Sequence, residues 1–457
     1  MTTEKPPIWS TTGNPFVDMG QEMMAALAGV DHPNELSLQD VEALPPKLVE
    51  LFFLPEWNKS SYTIFPNSAL NNGSNRKEKY KKLLELWLTA TEHPKEHNIG
   101  TTCAISGKPA QTYLGKVYLP MSDFEEGNFQ SANQKGTPVS ASVALALQFF
   151  PFALIKVGKM LALPQFSNDD AQAQWAKQSM EYIRKTQALG QGGVRDTGTF
   201  RAVKAFFKLI EDMVRQDQDL PNSSVMLYLF NNFNQVDYKA ASELYYMPSR
   251  VFNFIQLAMS QTTRQAWQRI VRRGYRLKKE IDDEAELQKY GNLVYNRLLD
   301  DQSISGFFLD RKHRSPVVRG REGWLLFSAY LKEVRSMEQR RLENLRDLAD
   351  RMAPLIRQRT KRLLSLERAD KKGKFVEVLY RLTKDATSAG HDKPLITFDQ
   401  LISDVLAQEN TTYDDWREVK SLLLFRIYEQ LHDDLKKDPE FIQAEEEDTD
   451  SQEEENE

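Results

Sequence analysis

One cysteine and six histidines in 457 residues leave this chain poor in metal ligands. A single thiol excludes an intramolecular disulfide framework and fits a reducing cytoplasm, the expected location. The histidines, at 32, 93, 97, 313, 391 and 432, are widely scattered. His93 and His97 are four residues apart, but Pro94 between them disrupts a helix. His391-Asp392 and His432-Asp433-Asp434 supply half of a His–Asp metal site, and read better as solvated surface. No run of eighteen apolar residues occurs, so no membrane span is expected. The opening Met1-Thr2-Thr3-Glu4-Lys5-Pro6-Pro7 lacks the basic-then-apolar pattern of a secretory signal. There is no Gly-x-x-x-x-Gly-Lys-Ser/Thr phosphate loop and no Gly-x-Ser-x-Gly elbow. Gly190-Gln191-Gly192-Gly193 has neither the lysine nor the strand-then-helix context of a phosphate loop, and reads as a flexible connection. With Arg195 following, it can still let backbone approach a phosphate. These absences point to a protein that is not an enzyme and uses no metal and no cofactor.

Charge is plentiful and uneven. The formal net charge is -5, but Glu445 to Glu457 hold nine acidic side chains and no basic one, so the remainder carries +4. Between Gln261 and Arg381 there are 29 Lys plus Arg against 17 Asp plus Glu. A basic body with an acidic tail suits a polyanionic partner, the plainer alternative being a solvated helical surface.

The patterning predicts an α+β fold. An N-terminal mixed α/β domain (1–165) precedes a middle, mostly helical domain with basic clusters (166–330). A C-terminal helical bundle (331–444) and a disordered acidic tail (445–457) follow. Helices are expected over Met19–Val30, Lys77–Thr91, Ala171–Gln187, Phe200–Gln216, Pro248–Gln288, Glu322–Leu366, Lys374–Thr387, Thr397–Gln408 and Tyr413–Lys436. Thr112–Leu119 alternates like a strand. Val143–Leu163 has the β-branched and aromatic content of two buried strands or a hairpin, with Gly158 near the turn. Val225–Phe233 reads as a strand or a buried helix. Pro354 is expected to kink or divide its helix.

Two basic clusters stand out. Arg264, Arg269, Arg272, Arg273, Arg276 and Lys278 lie together, interleaved with Trp267 and Tyr275. Arg311, Lys312, Arg314 and Arg319 form the second, and Arg357, Arg359, Lys361 and Arg362 continue the charge on the C-terminal bundle. Arginine binds phosphate bidentately, and aromatics stack on unpaired bases, so these residues are candidates to track a nucleic-acid backbone. For Arg335 to Arg346, intrahelical pairing with neighbouring Glu is an equal alternative.

Three segments carry a resemblance. They are Gly13-Asn14-Pro15-Phe16-Val17-Asp18-Met19-Gly20, Cys103-Ala104-Ile105-Ser106-Gly107, and Pro138-Val139-Ser140-Ala141-Ser142-Val143 leading into Leu147-Gln148-Phe149-Phe150-Pro151. Over residues 11 to 165 the chain resembles the large subunit of the type I-B CRISPR Cascade complex. In that family a Gly-Asn-Pro-Phe-Val-Asp opening precedes two Cys-x-x-Cys pairs. Here the first pair keeps Cys103 and places its second position at Ser106, and the second pair falls on Ser140 and Val143. The resemblance therefore implies a degenerate zinc-ribbon-like hairpin without its metal. It also implies recognition of the protospacer-adjacent motif in duplex DNA, aid to strand separation and R-loop stabilisation, and docking of a downstream effector in antiviral defence or transposition. The implied partners are guide-RNA-containing Cascade subunits, target double-stranded DNA with its displaced single strand, and a helicase-nuclease or transposition machinery, with guide pairing supplying most sequence choice. Motif reading needs polar groups on loops, and the candidates are Asn71, Asn72, Asn75, Lys77, Asn133, Gln134 and Lys135. For any single one of them, an ordinary surface-loop residue is the plainer reading. A stand-alone nucleic-acid-binding scaffold is the alternative reading.

Lys332-Glu333-Val334 can be encoded by a strong bacterial ribosome-binding sequence, and Met337 follows two codons later. Type I-B systems resemble this in making a small subunit from within the large-subunit gene. Initiation at Met337 is therefore expected to give a separate helical small subunit, the alternative being a chance match within a helix.

Overall fold

The structure is a computed structural model that describes residues 9–115, 117–120, 136–217, 220–231, 242–275, 283–390, 393–406 and 415–435. The fold is α+β, with a helical C-terminal half. Its contacts group into two units, Met1–Phe252 with Asp282–Tyr290, and Asn253–Ile281 with Gly291–Glu457. This grouping differs from the expected 1–165, 166–330 and 331–444. Residue 165 lies inside a paired strand, and residue 331 lies inside a helix that continues past 330.

In the first unit, α1 (Pro15–Ala28) begins where Pro15 presets the first helical turn and Asn14 accepts from the amides of Phe16 and Val17. The Asp18 carboxylate accepts from the Thr12 amide and hydroxyl at 2.7 Å and from the Gly13 amide at 2.9 Å. The Gly-Asn-Pro-Phe-Val-Asp opening thus builds a helix start. Gly20 lies against the Ala146 carbonyl, where any Cβ would overlap the oxygen. Four helices follow: α2 (Leu38–Glu42), α3 (Leu44–Phe52), α4 (Pro55–Ile64) and α5 (Arg76–Glu92).

The strands β1 (Thr112–Leu114) and β2 (Thr137–Val139) pair antiparallel, a shorter β1 than the expected Thr112–Leu119. Next comes α6 (Ala141–Ala146), where a strand was expected. Ser140 caps it through the Val143 amide, and Ala141, Ala144 and Ala146 favour helix. The hairpin does appear further on, as β3 (Ile155–Val157) and β4 (Met160–Phe166), with Gly158 at φ +60° in the turn.

After α7 (Asp169–Ala188), β5 (Arg195–Asp196) and α8 (Ala202–Gln216) come β6 (Val225–Phe230) and β7 (Ser242–Met247). The sheet order is β5-β3-β4-β6-β7, with only the β3–β5 pair parallel. The core gathers Phe16, Phe150 and Phe230 edge to face, and Phe52 against Trp57, Tyr80 and Phe152. Helix α1 packs on α6, on α7 and on the short helical turn Phe150–Ala153.

The chain passes between units within α9 (Ser249–Ala258). The second unit then holds α10 (Arg264–Arg273), while α11 (Glu284–Leu287) belongs to the first. Next are α12 (Leu293–Leu299), the short hairpin of β8 (Leu309–Asp310) and β9 (Ser315–Pro316), and α13 (Gly320–Ala329), which continues as a π-helical turn through Val334. Helices α14 (Gln339–Gln358), α15 (Lys361–Glu367), α16 (Lys372–Ser388), α17 (Phe398–Gln400) and α18 (Asp415–Leu435) complete it. Helix α14 runs through Pro354, which lies on its exposed side, so the helix is neither ended nor divided there. Leu342, Leu345, Leu348 and Met352 turn inward, and α14 packs along α18. Phe254, Trp267, Phe308, Phe327 and Tyr330 form the aromatic centre of this unit. Inside it Arg335, 7% exposed, pairs with Glu418 at 3.1 Å and with Asp301 at 3.3 Å, so this arginine is a core ion pair and not an intrahelical one. No helix among the described residues is long and apolar enough to cross a membrane.

Candidate nucleic-acid interface

The two basic clusters, separate in sequence, meet in the second unit. On α10, Ala266, Trp267 and Ile270 are buried, leaving Arg269, Arg272 and Arg273 exposed on one helical face. At its end Arg273 donates to the Leu309 carbonyl at 3.3 Å, and its guanidinium lies 3.8 Å from the Asp310 carboxylate. The β8–β9 turn then exposes Arg311, Lys312 and His313 beside it. His313 is held to Asp310 at 2.9 Å. Burial pushes the Asp310 carboxyl up, but hydrogen bonds from His313 and the charges of His313 and Arg273 leave it below its ordinary value. One anchored carboxylate thus links Arg273 at the end of α10 to His313 in the β8–β9 turn.

Several expected contributors are used elsewhere. Arg314, at φ +40° in the turn and 6% exposed, points inward and pairs with Glu367 at 3.3 Å. Burial raises the Glu367 carboxyl, and Tyr428, donating at 2.6 Å, and Arg314 counter it. Arg264 donates to the Met259 carbonyl at 3.1 Å. Arg319 hydrogen-bonds His432. Arg357 pairs with Asp434 at 2.8 Å. Arg359 and Arg362 both grip Asp385, whose carboxyl is lowered chiefly by Arg362, so one of their two charges is compensated. Lys361 is exposed on α15. Trp267 is fully buried against Phe254 and offers no stacking face, which corrects its expected role beside unpaired bases. Arg276 and Lys278 lie outside the described residues.

Among the motif-reading candidates, Asn71 is corrected. It is 8% exposed, accepts from the Ser61 hydroxyl at 2.7 Å and donates to the Phe65 carbonyl at 2.8 Å and the Ser61 carbonyl at 3.1 Å, so it braces a loop. Asn72, Asn75 and Lys77 are exposed, Asn75 in the left-handed region at φ +58° just before α5. Lys79, Lys81 and Lys82 are also exposed on α5, and the signal for this concentration was four lysines within six residues. Asn133, Gln134 and Lys135 lie outside the described residues.

The knuckle positions come together. The Cys103 thiol accepts from the Ser106 amide at 3.2 Å, the Ser106 and Ser140 hydroxyls are 3.4 Å apart, and the Ser140 hydroxyl accepts from the Val143 amide at 3.4 Å. Burial pushes the thiol up, yet hydrogen bonds from Ser106 and the amides of Ser140 and Ile105 leave it below its usual value. One sulfur with two hydroxyls is not a structural zinc donor set, and hydrogen bonds close the loop instead.

No protein-family model matches the chain, and no curated protein matches it.

Proposed function

We propose that this chain is a DNA-binding, non-enzymatic large subunit of an RNA-guided complex of the type I-B CRISPR Cascade kind. The observation that carries the nucleic-acid reading is the union of the α10 face with the β8–β9 turn. Arg269, Arg272, Arg273, Arg311 and Lys312 present exposed guanidinium and ammonium groups without a base-reading helix, the pattern of backbone tracking. The family assignment rests on the resemblance of the first 165 residues. The clustering of Cys103, Ser106, Ser140 and Val143 around one loop is what a degenerate two-knuckle frame requires. Within such a complex the exposed Asn72, Asn75 and Lys77 and the lysines of α5 are the candidates to meet duplex DNA at the protospacer-adjacent motif. The second unit would hold separated strands by phosphate contacts and offer a docking surface to a helicase-nuclease or transposition machinery.

The C-terminal portion from Met337 is proposed as a separately made small subunit. In support, Ser336 at φ +58° separates the π-helical turn from α14, three residues before α14 starts.

Co-expression with neighbouring guide-RNA-binding subunits tests the assignment. The chain should co-purify with guide RNA in fixed stoichiometry. Purification of a guide-loaded complex that lacks it, with the chain free in solution, would leave only the stand-alone scaffold reading.

A further inference from the structure

The first unit carries a cleft of about 720 Å³ that the DNA-binding reading does not use. Its wall includes Trp9, Asp18, Glu22, His32, Asp169 and Asp170, and among the described residues no lysine or arginine lines it. Two of its polar atoms are anomalous. Glu22 is 8% exposed and Trp9 is 1% exposed. Glu22 Oε2 and Trp9 Nε1 are both buried and, among the described residues, have no hydrogen-bond partner. Buried polar groups are almost always satisfied, and each exception calls for an occupant or a reason. Here one is an indole donor that needs an acceptor, and the other is a carboxyl facing further carboxylates.

Asp18 is already occupied, since both its oxygens accept from Thr12 and Gly13. Glu22, Asp169 and Asp170 remain, with His32 placed 3.3 Å from Asp170. No three carboxylate or imidazole groups among the described residues stand at metal-ligand spacing, so the negative charge is spread along the wall and not focused on a point. A spread acidic wall suits a guanidinium or ammonium group. The indole requires a carbonyl or similar acceptor on the same ligand, and an acidic cleft disfavours a carboxylate in that place. An amide carbonyl next to a cationic side chain meets both demands.

We propose that this cleft binds a basic peptide segment. An arginine or lysine side chain meets Glu22, Asp169 and Asp170, while a peptide carbonyl of the same segment accepts from Trp9 Nε1. The inference is independent of the DNA-binding assignment, since every residue it uses lies in the first unit, away from α10 and the β8–β9 turn in sequence. Burial, with Asp169 and Asp18 adding repulsion and Lys177 opposing, raises the Glu22 carboxyl to about 8. A cationic ligand therefore binds more tightly as pH rises from 6 to 9, as Glu22 gives up its proton.

The test is fluorine NMR of the full chain labelled with 5-fluorotryptophan. Seven resonances are available, and Trp9→Phe identifies one. The probes are acetyl-Ala-Arg-Ala-amide, its Gln counterpart and spermidine. The Arg peptide should shift the Trp9 resonance with a Kd of about 1 mM, ~10-fold more tightly than the Gln peptide or spermidine. At pH 9, where Glu22 is ionised, Glu22→Gln should weaken it ~10-fold with the other six resonances in place, and the exposed Asp170→Asn should weaken it ~3-fold. No shift with the Arg peptide, or equal binding of the Gln peptide, overturns the proposal. Spermidine binding as tightly as the peptide overturns the role given to the carbonyl.

Discussion

Arg273 reaches the Leu309 carbonyl at 3.3 Å and lies 3.8 Å from the Asp310 carboxylate, so one arginine brings together the cations of a helix and a hairpin that are more than thirty residues apart. Neither element supplies all of them alone. Helix α10 offers three exposed arginines in two turns, and the turn of β8–β9 offers two cations and His313. Each nucleic-acid phosphate that such cations neutralise releases a counterion.

The Arg269→Ala/Arg272→Ala/Lys312→Ala variant should therefore weaken DNA binding by about 10- to 100-fold and lower the slope of log K against log salt by about 2. Fluorescence anisotropy across a salt series measures both. An unchanged slope would remove these residues from the interface.

Arg314 behaves differently from its neighbours. Its removal leaves Glu367 buried without its cation, so Arg314→Ala should cost about 3 kcal/mol of stability, read by chemical denaturation. Arg311→Ala, on the exposed side of the same turn, should change stability by less than about 0.5 kcal/mol.

Glu22 gives a pH signature. Its carboxyl is raised from 4.5 to about 8, so between those values the native state binds the proton that the unfolded chain releases. Stability from this group is therefore intact near pH 4.5 and is lost as pH rises toward 8. Glu22→Gln should match the parent near pH 5 and exceed it at pH 8.5, by on the order of 3 kcal/mol. Thermal melts at the two pH values read the difference.

If Met337 is an internal start, replacing its codon with one for leucine should abolish a shorter product ending at the same C-terminus, and the full-length chain should persist. A purified complex of unchanged composition would sink the idea. Met337 is 3% exposed and its amide donates to the Leu331 carbonyl at 3.0 Å, so leucine, of similar volume, keeps the packing.

Much of the helical second unit was legible because periodic leucines such as Leu342, Leu345 and Leu348 carry it, and caps or glycines mark its ends. The error at 143–153 came from counting Val143, Phe149 and Phe150 as strand formers, while Ser140 and three alanines built a helix start. Nothing local distinguishes Arg311 from Arg314, because only the left-handed turn and the distant Glu367 draw the latter inward. Asn71 was misread for the same reason, its partners being backbone carbonyls of the preceding helix and loop. The acidic cleft had a faint signal: Asp18 and Glu22 stand four residues apart within a helix whose one other polar side chain is Gln21, but Asp169 and Asp170 meet them only through the packing of α7 on α1.

The most direct test of the central claim is selection of DNA bearing one target sequence and a randomised flank by the guide-loaded complex, with and without this chain. The account predicts enrichment of a short flank that depends on the chain and weakens with Asn72→Ala/Lys77→Ala. Equal recovery of all flanks in both cases would contradict it.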